Sequence, residues 1–173
     1  NINFEPTNDK NKDPNPLKPE TRKEAEEAVI NHGADGAFLW DGDGDRFFVL
    51  DEKARLIPGN FVTAVLAEYI LKKHPNEKII CDLRLSKAVF KIIERNGGLP
   101  IMNRVGHSYI KDRMRKENAI FGAEMSGHYY FRGQSDQGLS EFYSDNGIIP
   151  ALYLLEIMSQ KTKKLSELFD PFF

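Results

Sequence analysis

The chain has 173 residues, of which 40 % are hydrophobic and 29 % charged, and its formal net charge at pH 7 is −2. This length fits one full domain plus part of another, and the composition is that of a soluble globular protein. The nearly balanced charge gives no electrostatic reason to expect binding to nucleic acid or to an anionic membrane surface. No run of about 18 apolar residues predicts a membrane span.

The only cysteine, Cys81, lies in an apolar run and cannot form an internal disulfide. Nothing in the sequence therefore demands an oxidising compartment, and there is no charged-then-apolar leader, so we expect a cytoplasmic protein. The chain begins at Asn1 and not at a methionine. We interpret it as a piece of something longer.

The sequence pattern of residues 1–54 predicts one loop, one helix and two strands. Prolines and polar residues dominate the start, a Glu, Lys and Ala pattern that stops at a glycine follows, and two short apolar runs come next. The predicted elements are an extended loop at 1–19, a helix from Glu20 to His32 capped by Gly33, and strands at 36–40 and 47–50.

Residues 55–173 alternate between helices and strands, and we place a domain boundary near residue 55. Predicted helices cover 61–73, 86–96 with Ser86 as N-cap, 108–117 and 145–159, and predicted strands cover 78–82, 99–102, 119–123 and 129–131. This alternation predicts a layered α/β domain with a mixed, largely parallel sheet. Residues 1–54 would then be part of another domain.

The loop between the first two strands carries three carboxylates on alternate residues, Asp41, Asp43 and Asp45, separated only by glycines. This arrangement is unfavourable unless a cation lies between the carboxylates, and the glycines allow the three side chains to turn toward one point. Oxygen ligands favour Mg²⁺ first, and then Mn²⁺ or Ca²⁺. The next residue, Arg46, is a planar fork suited to a phosphate bound at the same ion.

Other interpretations of this loop stay open. Asp-Gly runs also form ordinary turns between strands. An EF-hand calcium loop that begins at Asp41 would have Glu52 at its twelfth position, but Arg46 occupies the sixth position, where that loop needs glycine. A haloacid-dehalogenase-like enzyme would have a large apolar residue at Gly42. The alternative function is a non-catalytic α/β module that binds Ca²⁺ or Mg²⁺.

Two segments that follow predicted strands carry cations, at the end of the sheet where α/β proteins bind ligands. Arg84 precedes a predicted helix and can contact an anion there. His107 and Lys111 lie at a strand-to-helix junction, where backbone N–H groups and the helix dipole favour phosphate. A solvated surface arginine and a capping histidine are the plain alternatives.

A third segment places Glu124, Ser126 and His128 on alternate residues between two short strands. On an extended backbone this spacing puts all three side chains on one face. Glu124 can accept hydrogen bonds from two adjacent sugar hydroxyls, Ser126 can donate or accept, and His128 titrates near neutrality and can move a proton. A polar edge strand is the alternative.

These motifs, in this order and spacing, resemble the α-D-phosphohexomutase superfamily, and specifically its bacterial phosphomannomutase/phosphoglucomutase branch. The motifs are Asp41-Gly-Asp-Gly-Asp-Arg46, Gly106-His107-Ser108-x-x-Lys111 and Gly122-x-Glu124-Met-Ser126-Gly-His128. The segments Pro14-Asn15-Pro16 and Asp145-Asn146-Gly147 extend the resemblance over nearly the whole chain.

The resemblance implies a reversible, Mg²⁺-dependent phosphoryl transfer between C1 and C6 of a mannose or glucose phosphate, by way of an enzyme phosphoserine and a bisphosphorylated sugar. It divides the candidate residues among the metal, the phosphoryl group and the sugar. Asp41, Asp43 and Asp45 would hold Mg²⁺, Arg46 would contact the phosphoryl group, Glu124 and Ser126 would bind the sugar's O3 and O4 hydroxyls, and Arg84, His107, Lys111 and His128 would line the cleft, with His107 and His128 as acid/base groups.

Members of this superfamily have four domains, and the chain resembles the end of the second, at 1–54, and the third, at 55–173. The serine that becomes phosphorylated and the phosphate-gripping loop belong to the first and fourth domains. We therefore expect the remaining domains of the same enzyme as partners, and we expect this chain to be inactive alone. The polar segment at 132–138 has no explanation in the resemblance.

Overall fold

The computed structural model describes residues 15–134 and 141–172, which form a two-stranded hairpin, a five-stranded mixed sheet and six α-helices. The helices are α1 Pro19–His32, α2 Gly59–Lys73, α3 Lys87–Arg95, α4 His107–Glu117, α5 Ile148–Lys161 and α6 Leu165–Phe169, and a short 3₁₀ helix follows at Asp170–Phe172. The strands are β1 Gly36–Trp40, β2 Phe47–Asp51, β3 Lys78–Asp82, β4 Leu99–Asn103, β5 Phe121–Ala123, β6 Tyr129–Gln134 and β7 Glu141–Asp145. The predicted mixed α/β class is confirmed.

Helix α1 follows its sequence signals closely. Proline at its first position lacks the N–H that an α-helix leaves unpaired there. At its other end Gly33 has φ = 57°, in the left-handed region that glycine adopts without strain, and its N–H donates to the carbonyl of Ile30 at 3.3 Å. The predicted helix and its glycine cap are therefore present.

The five-stranded sheet has the order β4-β3-β5-β6-β7. Strand β3 pairs in parallel with β4 and with β5, whereas the β5–β6 and β6–β7 pairs are antiparallel. The carboxyl ends of the three parallel strands and of β7 therefore meet at one edge, where β6 begins. The candidate site segments that follow β3, β4 and β5 lie beside this edge.

The hairpin of β1 and β2 shares a hydrophobic core with the rest of the chain. Phe47 and Val49 of β2 are buried in the same cluster as Leu66 of α2, Phe121 of β5 and Leu154 of α5. Burial of apolar surface is the main favourable term in folding, so this packing stabilises the hairpin against the larger sheet. The hairpin is thus held in a fixed place beside the edge where the loops meet.

The predicted helix at 145–159 is wrong at its start. Asp145 is the last residue of β7, and α5 begins three residues later. The Asn146 side chain determines this start, because its Oδ1 accepts hydrogen bonds from the backbone N–H groups of Ile148 and Ile149, both at 2.8 Å. Strand β7 and helix α6 were not predicted. Ser86 occupies the N-cap position of α3 as predicted, but its side chain makes no capping bond.

Most of the predicted loop at 1–19 lies outside the described residues, as do residues 135–138 of the segment that the resemblance leaves unexplained. The first part of that segment, 132–134, belongs to β6. Within the described ranges, no helix combines the length and the apolar character that a membrane crossing requires.

Candidate active site

The acidic loop connects the two strands of the hairpin. Trp40 pairs with Phe47 at the end of the ladder, and residues 41–46 span the gap. Gly44 has φ = 76°, a conformation that glycine adopts readily, and its N–H donates to the carbonyl of Asp41 at 3.2 Å. This turn brings one oxygen each of Asp41, Asp43 and Asp45 within 4.8 Å of one another.

The EF-hand interpretation of this loop is wrong. Strands and not helices flank the loop. Glu52, which would be the twelfth ligand, lies beyond the far end of β2, where its carboxylate accepts hydrogen bonds from the backbone N–H of Ser166 at 3.1 Å and from its hydroxyl at 2.5 Å. The loop is a hairpin connection in which three carboxylates converge.

The environments of these carboxylates differ. Burial opposes ionisation of Asp41, but Arg46 outweighs it and lowers the pKa of Asp41 below its usual value, because its Nε and backbone N–H donate at 2.6 and 3.1 Å. Burial raises the pKa of Asp45, with the charges of Asp43 and Asp41 adding to it against the opposing charge of His128. One oxygen of Asp45, Oδ1, is buried without a hydrogen-bond partner. An orphaned carboxylate oxygen beside two other carboxylates fits a hard divalent cation.

The loop is packed against the start of α5. The indole Nε1 of Trp40 donates to the carbonyl of Gly147 at 2.7 Å. A Cβ at position 147 would lie 2.5 Å from the carbonyl oxygen of Gly44 and 2.8 Å from the Trp40 ring. Only glycine therefore fits between this helix and the acidic loop.

The segment that carries Glu124, Ser126 and His128 is a turn and not an extended strand. The backbone N–H of Glu124 donates to the His128 carbonyl at 3.0 Å, and Gly127 has φ = 94°. The expectation that the three side chains share one face of an extended segment is therefore wrong. The Ser126 hydroxyl lies 3.0 Å from Nδ1 of His128, whereas the Glu124 carboxylate is buried and bonds to the hydroxyl of Tyr130.

The structure joins this turn directly to the acidic loop. His128 Nε2 lies 3.5 Å from Oδ2 of Asp45. The backbones of Arg46 and His128 form a β-bridge, and the N–H of Phe47 donates to the Gly127 carbonyl at 2.9 Å. The candidate metal ligands and the candidate sugar ligands therefore form one continuous site.

Arg84 also reaches this site, where its guanidinium contacts two carboxylates. Its Nε and an Nη donate to one oxygen of Asp82 at 2.8 and 2.5 Å, and the same Nη lies 3.5 Å from Oε2 of Glu124. The sequence reasoning missed Asp82 and Tyr130 as partners of these residues. The position of Asp82 at the end of β3 could have pointed to it, but the contact of Asp82 with the turn after β5 depends on the order of the strands in the sheet.

The remaining two candidates lie on α4. Lys111 Nζ is 3.2 Å from Oδ1 of Asp145, at the carboxyl end of β7. His107 is exposed at the first position of the helix, and within the described residues its side chain has no hydrogen-bond partner. The backbone N–H of Gly106 donates to Glu124 Oε2 at 3.3 Å, so the loop before α4 does contact the site.

Comparison with known proteins decides the family. Residues 58–173 match the family model described as phosphoglucomutase/phosphomannomutase, alpha/beta/alpha domain III, and residues 1–55 match the model of domain II. The chain belongs to the phosphoglucomutase/phosphomannomutase family. The predicted membership of the phosphohexomutase superfamily is confirmed.

Relatives of this phosphohexomutase chain are much longer than the chain itself. It is 47 % identical over 155 residues to the phosphomannomutase of Escherichia coli K12, and the aligned region covers 90 % of this chain and 32 % of that protein. It is 43 % identical over 158 residues to the phosphohexose mutases of Xanthomonas campestris pv. campestris, covering 91 % and 34 %. A crystal structure of a family protein from Burkholderia thailandensis superposes with a TM-score of 0.79 at 29 % identity, covering 90 % and 32 %. The chain thus spans about a third of the length of these relatives.

Proposed function

We propose that this chain supplies the metal-binding and sugar-binding parts of a phosphohexomutase, which transfers a phosphoryl group reversibly between C1 and C6 of a mannose or glucose phosphate. The observation that carries the proposal is the 3.5 Å contact between His128 and Asp45, because it joins the acidic loop to the turn that carries Glu124 and Ser126. A phosphate bound at the acidic loop and a sugar bound at the turn would be parts of one substrate.

In this proposal Asp41, Asp43 and Asp45 hold Mg²⁺. When bound, the ion supplies positive charge that neutralises phosphate oxygens during transfer. Arg46 follows the three ligands, and its Nε donates to Asp41 at 2.6 Å, which would place its guanidinium beside a phosphoryl group bound at the ion. Phosphoryl transfer depends mostly on such positioning and charge neutralisation.

The sugar hydroxyls O3 and O4 are bound by Glu124 and Ser126, and Lys111 and His107 line the cleft. His128 lies between Ser126 and Asp45, and it is therefore the histidine best placed to move a proton between the sugar and the acidic loop. His107 is a second acid/base candidate, at the start of α4. These roles follow the family resemblance, and the contacts described above support them.

The phosphoserine and the phosphate-gripping loop belong to other domains of the enzyme in this proposal. We propose that residues 1–54 are the end of domain 2 and residues 55–173 are domain 3, and that the chain has no mutase activity alone. Turnover by the chain, purified away from any full-length mutase, would contradict this part of the proposal.

Steady-state kinetics of the full-length protein that contains this chain test the function. Asp43→Ala removes one metal ligand, and Asp112→Ala is the matched control, because Asp112 is an exposed carboxylate paired with Lys116 on α4. We expect Mg²⁺-dependent interconversion of hexose 1- and 6-phosphates, a loss of at least roughly a hundredfold in kcat for Asp43→Ala, and no change for the control. If metal only stabilises the fold and no sugar phosphate is converted, the alternative of a non-catalytic Ca²⁺ or Mg²⁺ module is correct.

A further inference from the structure

Both oxygens of the Glu124 carboxylate are held by donors of the protein. Oε1 accepts a hydrogen bond from the Tyr130 hydroxyl at 2.5 Å, and Oε2 accepts one from the backbone N–H of Gly106 at 3.3 Å, with Arg84 Nη 3.5 Å away. Glu124 is only 3 % exposed, so it can meet a ligand over only a small part of its surface. Its orientation therefore decides whether a sugar hydroxyl can reach it.

Arg84 is itself held by a carboxylate that no solvent reaches. Asp82 is 0 % exposed, and it accepts three hydrogen bonds from Arg84: from the backbone N–H at 2.9 Å, from Nε at 2.8 Å and from Nη at 2.5 Å. Asp82 also accepts from the backbone N–H of Met125 at 3.3 Å, next to Glu124. The buried carboxylate thus fixes both the arginine and the turn that carries Glu124.

The charges of this cluster argue against phosphate as the ligand of Arg84. One guanidinium lies between two nearly fully buried carboxylates, Asp82 and Glu124, so the three ionised side chains together carry a charge of −1. A phosphate dianion would meet net repulsion there, whereas a neutral hydroxyl can donate to the carboxylate. The cluster has the chemistry of a hydroxyl-binding site.

We propose that Asp82, Arg84 and Tyr130 are positioning residues that orient the Glu124 carboxylate toward the sugar hydroxyls, and that Arg84 does not bind the substrate's phosphate. This inference rests on the proposed function. The aromatic ring of Tyr130 adds a second constraint, because it stacks on the His128 imidazole with ring centroids 6.3 Å apart and an interplanar angle of 16°. The same tyrosine therefore contacts both Glu124 and His128.

Two variants of the full-length enzyme test this assignment. Tyr130→Phe removes the hydroxyl that donates to Glu124 and keeps the ring. Arg84→Gln removes the guanidinium, and Arg95→Gln is the matched control, because Arg95 is an exposed cation at the end of α3, the helix that follows the turn with Arg84. The measured quantities are kcat, the KM for hexose 1-phosphate, the inhibition constant of inorganic phosphate and the midpoint of thermal unfolding.

We expect KM to rise roughly tenfold or more in Tyr130→Phe and in Arg84→Gln, because a hydrogen bond to a charged group is lost in each, while the inhibition constant of inorganic phosphate changes less than about twofold. Arg84→Lys should lower KM little from the raised value of Arg84→Gln, since lysine keeps the charge but lacks the planar guanidinium that donates to two positions. If these residues had only a structural role, the variants would lower the midpoint of thermal unfolding, and KM would not rise more than the inhibition constant of inorganic phosphate.

Two results would overturn the inference while leaving the proposed function standing. The first is an active wild-type enzyme in which Arg84→Gln weakens phosphate inhibition as much as it raises KM, which would make Arg84 a phosphate ligand. The second is an unchanged KM in Tyr130→Phe. An inactive wild-type enzyme would instead contradict the proposed function itself.

Discussion

At the scale of single residues, Gly147 controls how closely the acidic loop packs on α5. Its φ is −82°, so the backbone would tolerate any residue, but a Cβ would lie 2.5 Å from the Gly44 carbonyl oxygen. We predict that Gly147→Ala displaces the loop and lowers Mg²⁺ affinity by roughly ten- to a hundredfold, the range found when groups that orient metal ligands are lost. Mg²⁺ titration of the full-length protein measures this.

The neighbouring variant Ile148→Ala is the control for that titration, because the Ile148 side chain is exposed. It should bind Mg²⁺ as the wild type does. Unchanged Mg²⁺ affinity in Gly147→Ala would show that the acidic loop does not depend on its contact with α5.

At the scale of secondary-structure elements, Glu52 links the turn after β2 to α6. Burial opposes its ionisation, but the hydrogen bonds from Ser166 outweigh burial and lower the pKa of Glu52 below its usual value. A carboxyl group whose pKa is lowered in the folded state stabilises that state above its usual pKa, and this contribution disappears as the pH falls through the lowered value. The link between hairpin and helix should therefore weaken in acid.

We predict that Ser166→Ala lowers the free energy of unfolding by about 1 to 3 kcal/mol at pH 7, and that the difference from wild type shrinks as the pH falls below the usual pKa of a glutamate. Urea denaturation of both proteins at several pH values measures it. Ser159→Ala is the matched control, since Ser159 donates only to the carbonyl of Glu156. A difference that stays constant down to the lowest pH would show that the ionised Glu52 carboxylate contributes nothing.

Most helices and strands could be predicted from local patterns, because their apolar periodicity and their glycine and proline signals agree. Strand β7 was missed because its residues, Glu141–Asp145, are polar or exposed and give no run of buried side chains. Helix α6 has five residues, too few to show a helical period. The alternate spacing of polar residues predicted an extended backbone where the structure has a turn at Gly127, although the Ser-Gly sequence there is compatible with a turn.

Within the site, too, features with a local sequence signal could be predicted and features that depend on strand order could not. The three aspartates could be predicted to converge, because alternation with glycine is a local property. The partners of Glu124 could not be predicted, since Tyr130 and Arg84 reach it only through the pairing of β5 with β6 and with β3. Strand order is a property of the whole sheet and cannot be read from a segment of a few residues.

At the scale of the whole molecule, one core crosses the proposed boundary near residue 55. Phe47 is 1 % exposed and packs with residues of α2, β5 and α5. We predict that Phe47→Ala lowers the free energy of unfolding by about 3 to 5 kcal/mol. We also predict that the entire chain unfolds in a single transition. The lone tryptophan, Trp40, reports on the hairpin by fluorescence, while circular dichroism reports on all helices.

Coincident urea transitions by the two probes, both shifted in Phe47→Ala, would agree with this prediction. Separate transitions would show that the hairpin unfolds independently of the five-stranded sheet. The result matters for the site, because the acidic loop belongs to the hairpin and the sugar-binding turn belongs to the sheet.

The most direct test of the central claim is isothermal titration of the full-length protein, first with Mg²⁺ and then with glucose 1,6-bisphosphate. The account predicts that the bisphosphate binds in the presence of Mg²⁺, that Asp43→Ala abolishes this binding, and that Asp112→Ala leaves it intact. Metal binding without any response to the bisphosphate would reduce the acidic loop to a structural ion site and contradict the phosphohexomutase account.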